Sequence, residues 1–106
     1  MDRREKLDKE LREVLQAIEG SVNLYYQPPS SVHMKYNCIR YKKTTMNVKR
    51  ANDHSYLGRD QYEIMAISRD PDSALPHAIQ ERFPYCEPGR FFVADNLYHF
   101  PFTIYY

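Results

Sequence analysis

The chain reads as an α+β domain, a mainly antiparallel sheet with an N-terminal helix and a second helix packed on it. Three observations predict this. Residues 2–19 place apolar side chains at helical spacing, and residues 62–67 alternate like a strand and then become apolar on both faces. After a proline-marked turn, Leu75, Ala78, Ile79 and Phe83 return to helical spacing. The other strand signals are joined by short turns, which favours hairpin pairing, and two helices with one apolar face each must cover a sheet.

In the first helix Leu7, Leu11, Val14, Leu15 and Ile18 form one stripe. Glu5 with Lys9, Asp8 with Arg12 and Lys9 with Glu13 are opposite charges four apart, and Gly20 is the stop. Residues 22–26 then alternate Val22, Leu24 and Tyr26 against Asn23 and Tyr25, a short strand that runs into the rigid loop Gln27-Pro28-Pro29-Ser30-Ser31. Residues 36–41 form the next strand, with Cys38 and Ile39 buried on opposite faces, and its β-type composition continues through residues 44–50 to a turn at Ala51-Asn52-Asp53. A basic hairpin or arm over approximately residues 40–55 is the expectation.

The stretch YEIMAISRDPDSALPHAIQERF, residues 62–83, is the centre of the chain. Its strand runs from an edge-like start into the core. Asp70-Pro71-Asp72 supplies the turn, Ser73 is the expected N-cap with Pro76 at the third helical position, and Pro84 ends the helix. Residues 84–89 read as a loop, and residues 90–94 and 97–106 as two strands joined at Asp95-Asn96. Tyr98, Phe100, Phe102, Ile104 and Tyr106 share one face of the last strand, which is core or interface. Pro101 removes a ladder donor and so suits an edge strand or a bulge rather than a central position.

A chain of 106 residues makes a single domain, 1–106, that buries roughly 60 to 65% of its unfolded surface. No apolar run is long enough to span a membrane and no secretory leader is evident, so the expectation is a soluble protein made in the cytosol, without membrane contact. Cys38 and Cys86 lack the spacing of a disulfide framework or a zinc site and read as buried free thiols. His33, His54, His77 and His99 have no metal-ligand spacing, Asp70 and Asp72 flank a proline as turn residues do, and no nucleophile elbow or phosphate-cradling loop is present. No catalytic residue, cofactor site or metal site is expected.

Charge is segregated along the chain. Residues 1–20 carry five basic and six acidic side chains, residues 21–52 six and none, and residues 53–106 four and eight. A basic block of this kind implies an anionic neighbour: nucleic acid, an acidic partner, or the chain's own acidic half. Lys35, Arg40, Lys42, Lys43, Lys49 and Arg50 are the residues expected to meet a partner or line a lumen, and the interleaved tyrosines are compatible with sequence-tolerant nucleic-acid contact. Ten tyrosines and five phenylalanines without tryptophan suit a small protein that makes large contacts.

Three segments carry a family resemblance: VNLYYQPPSSVHMKYNCIRY, YEIMAISRDPDSALPHAIQERF and RFFVADNLYHFPFTIYY. As a strand, proline loop and strand, then a strand, Ser-Arg turn and helix, then a closing hairpin, they resemble the tail terminator (tail-completion, neck) proteins of long-tailed bacteriophages and phage-tail-like particles. The resemblance implies a structural virion protein without enzyme activity or cofactor. It also implies a homo-oligomeric ring, usually a hexamer, that ends the tail tube, binds the tail tube protein and the head-closure or connector protein, and lets DNA pass through its lumen. Alternatives are another neck protein such as the head-closure protein, or a small nucleic-acid-binding module.

Overall fold

A computed structural model describes residues 3–28, 31, 33–46 and 58–106. The elements run α1 (Arg3–Glu19), β1 (Leu24–Tyr26), β2 (Cys38–Thr45), β3 (Gln61–Ser68), α2 (Leu75–Arg82), β4 (Cys86–Pro88), β5 (Phe92–Ala94) and β6 (Leu97–Tyr105). The sheet order is β1-β2-β3-β6-β4, with β5 also pairing β6; all pairs are antiparallel except β1 with β2. The α+β class read from the sequence is the class observed.

Side-chain alternation divides this sheet into two unlike faces. On one, Ile39, Tyr41, Tyr62, Ile64, Ala66, Phe102 and Ile104 pack with Leu7, Leu11, Val14 and Leu15 of α1 and with Leu75, Ile79 and Phe83. This is the main core. The two helices are also tied to each other, because Arg82 of α2 reaches Glu10 at 3.0 Å and Glu13 at 2.8 Å on α1. Ile18, the last member of the expected stripe, is 40% exposed. Gly20 ends α1 at a φ of 65°, its N–H donating to the Gln16 carbonyl at 3.0 Å.

Four local expectations need correction. The start of β3 is no edge: Gln61 pairs with Thr45 on one side and Tyr105 on the other, so β3 is central from its first residue. The helix α2 begins one residue later than expected. Ala74 is its N-cap and Pro76 its second residue, although the Ser73 hydroxyl still accepts from the Leu75 N–H at 3.1 Å; that hydroxyl also donates to the Glu19 carboxylate of α1. Residues 86–88 are a strand rather than loop, held by pairing Cys86, Glu87 and Pro88 against Ile104, Thr103 and Phe102.

The fourth correction concerns Pro101, which sits inside a strand flanked on both sides. Its carbonyl accepts from the Gly89 N–H at 2.8 Å, and the Tyr105 N–H donates to the Tyr85 carbonyl at 3.0 Å. Since alternate residues of a strand direct their backbone groups to the same side, the Pro101 nitrogen also points to the β4–β5 flank. There β5 stops at Phe92, opposite His99, and β4 enters opposite Phe102. No bond to β3 is lost.

Candidate interaction surface

Among the described residues no helix covers the second face of the sheet, and strand register sorts its side chains into rows. One row is Cys38, Ile67, His99 and Phe92. The next is Tyr25, Arg40, Met65 and Pro101. The third is Lys42, Glu63, Thr103 and Glu87. The face therefore grades from apolar to charged over three rows.

A concavity of about 710 Å³ opens over the second and third rows, walled by Gln27 and Pro28 at one side and Gly89 at the other. Arg40, Lys42, Glu63, Met65, Pro101 and Thr103 contribute side chains to it. Gly89 sets one wall through close approach: a Cβ there would stand 3.0 Å from the Pro101 ring, which would have to give by a few tenths of an ångström.

The expected partner residues are divided by the same alternation. Arg40 and Lys42 lie exposed on the open face, and the Lys35 backbone N–H donates to the Tyr25 hydroxyl at 2.9 Å, joining the Lys35 segment to that face. Lys43 goes to the other side, where its ammonium pairs with Asp60 at 3.4 Å and stands 5.7 Å from the centre of the Tyr62 ring. Lys42 pairs with Glu63 at 3.3 Å. Among the described residues Arg40 has no carboxylate partner. Residues 40–45 of the expected arm belong to β2, whereas Lys49, Arg50 and the turn at Ala51-Asn52-Asp53 lie outside the described residues.

The hairpin of β5 and β6 forms a second feature at the sheet's margin. Phe91, Phe92 and Val93 are 48%, 43% and 55% exposed. Phe91 stacks on Tyr98 and Phe100 at centroid distances of 5.8 and 5.3 Å, while Phe92 stacks on His99 at 4.7 Å. Phe92 and Val93 are adjacent in a strand and so point to opposite faces, which makes the hairpin apolar on both. Asp95 and Asn96 turn it, at φ values of 51° and 62°.

Two polar clusters missed by sequence reasoning fix the sheet beneath the helices. Glu19 accepts from Asn37 at 2.7 Å, from Ser68 at 3.4 Å and from Ser73. Asp8 accepts from the Tyr41 hydroxyl at 2.6 Å, and the Arg4 guanidinium lies 4.5 Å over the Tyr26 ring. Burial, then the Asp8 hydrogen bond, raises the Tyr41 phenol well above its ordinary range. These contacts join residues 18 to 54 positions apart, and no local motif announces them.

Among the described residues no group of three or more His, Cys, Asp or Glu is placed to hold a metal ion, and no helix is long and apolar enough to cross a membrane. What the surface offers chemically is contact: a graded sheet face that carries Arg40, unpaired among the described residues, and an aromatic hairpin. Comparison with protein-family models, curated proteins and solved structures returns no match.

Proposed function

We propose that this chain is a structural ring subunit that terminates the tail tube of a long-tailed bacteriophage or tail-like particle and joins it to the head connector. The observation that carries the reading is the two-faced sheet. Both helices are spent on one side, while Arg40, Lys42 and Glu63 of the other side and the aromatic hairpin stay exposed. The resemblance of the three segments supplies the tail, the hexameric ring and the partners: the tail tube protein, and the head-closure or connector protein. DNA passes through the lumen without being read.

The nucleic-acid-binding alternative draws on the basic middle of the chain. Two of its lysines are already matched by Glu63 and Asp60 of the same molecule, which lowers the charge offered to a phosphate backbone. Imaging of purified tails with the chain labelled tests the proposal. Several copies at the head-proximal end, and overlong tubes when the chain is withheld, are the expected result. Absence from that end, or tight and steeply salt-dependent DNA binding by the monomer, overturns it.

A further inference from the structure

We propose that the β5–β6 hairpin of one copy seats in the sheet-face concavity of a second copy, head to tail. The inference rests on the ring reading and names the contact that closes it. The hairpin segment FFVADNLY, residues 91–98, carries a single charge, Asp95, at its exposed turn. The concavity carries Arg40, the exposed guanidinium that no carboxylate neutralises among the described residues, beside the apolar surfaces of Pro28, Met65 and Pro101. Aspartate at the tip meets arginine in the floor, and Phe92 and Val93 meet proline and methionine. Charge and apolarity are complementary between the two patches.

A molecule cannot fill its own concavity this way. Its β5 is held to β6 by the pairs Phe92 with His99, Val93 with Tyr98 and Ala94 with Leu97, at the margin of the same sheet that forms the concavity's floor. The occupant must come from another copy. Because giver and receiver are different patches, each copy uses one of each, and such a contact repeats around a ring when the rotation closes. A two-fold dimer makes the same contact twice, each hairpin in the other copy's concavity, and sedimentation distinguishes it from a ring by size.

Paired charge reversal tests this. Asp95→Arg and Arg40→Asp are both at exposed positions, and because Asp95 sits at a φ of 51°, circular dichroism and a thermal melt check that each variant keeps its fold. Sedimentation velocity of the whole chain, at concentrations up to the order of 1 mM, should show wild-type oligomers. Either variant alone should associate about tenfold more weakly or worse, because the contact then holds like charges. Mixing the two restores both contacts in trans, since each supplies the partner that the other lacks, and association should return. A wild type monomeric throughout, unchanged association in either variant, or a mixture that stays dissociated overturns the inference. Those outcomes leave the tail assignment standing if the chain is still found at tail ends, whereas a chain that oligomerises through this contact but is absent from tails refutes only the assignment.

Discussion

At the scale of single residues, Leu11 and Ile79 have no exposed surface and anchor the two helices to the same face of the sheet. Replacing either by alanine should cost about 2 to 5 kcal/mol in urea denaturation, the loss of transfer energy plus a cavity. A loss below about 0.5 kcal/mol at both would mean that these faces are not core. Tyr62 behaves differently, because its ring is buried while its hydroxyl has no hydrogen-bond partner among the described residues. Removing an unsatisfied hydroxyl is nearly neutral or favourable, so Tyr62→Phe should leave stability within about 1 kcal/mol of wild type or raise it. The leucine stripe was legible because helical period is a local property of sequence. The tie from Ser73 to α1 was not, because its partner Glu19 lies 54 residues away.

At the scale of elements, the closing hairpin was readable and its neighbour was not. Asp95-Asn96 announces a two-residue turn with positive φ at both positions, and the structure has 51° and 62° there. Asn96→Val should therefore destabilise by about 1 to 2 kcal/mol, the cost of a left-handed conformation for a β-branched side chain that lacks asparagine's local hydrogen bonding, while Asn96→Gly should be tolerated. Thermal melts of the two variants give the comparison, and equal melting points would show that the turn does not hold this geometry. The strand β4 escaped notice because three residues, one of them proline, have no period to read; only the ladder to Ile104, Thr103 and Phe102 makes them a strand. The clasp from Arg82 to Glu10 and Glu13 was hidden in the same way, each acid being about 70 residues distant by chain and a partner only by packing.

At the scale of the whole molecule, charge segregation was countable in the sequence, but its destination was not. Alternation in β2 sends Lys43 to Asp60 and Lys42 to Glu63, so part of the basic block is answered by the chain's own acidic half, one of the three neighbours that composition allowed. The burial that makes the core also sets a pH limit. Burial pushes the thiols of Cys38 and Cys86 from 9.0 up to about 11, and burial followed by the Glu10 hydrogen bond pushes the Tyr106 phenol from 10.0 up to about 12. Tyr41, Tyr62 and Tyr105 are raised as well, burial being the first cause in each. Each folded pKa exceeds its unfolded value, so above about pH 9 the unfolded chain releases protons that the folded chain still holds. Fewer protons bound in the unfolded state means that stability falls as pH rises, with the full contribution present below pH 9 and lost as pH climbs through the folded values. Cys38 alone, with no exposed surface, should contribute on the order of 2 to 3 kcal/mol to that loss, at about 1.4 kcal/mol per pH unit. Urea denaturation under reducing conditions at pH 8 and at pH 10.5 should show a clear drop for wild type and a shallower one for Cys38→Ala, whatever that variant loses at pH 8. Equal stability at the two pH values would mean that the thiols and phenols ionise as freely in the folded chain as in the unfolded one, and that the sheet does not enclose them.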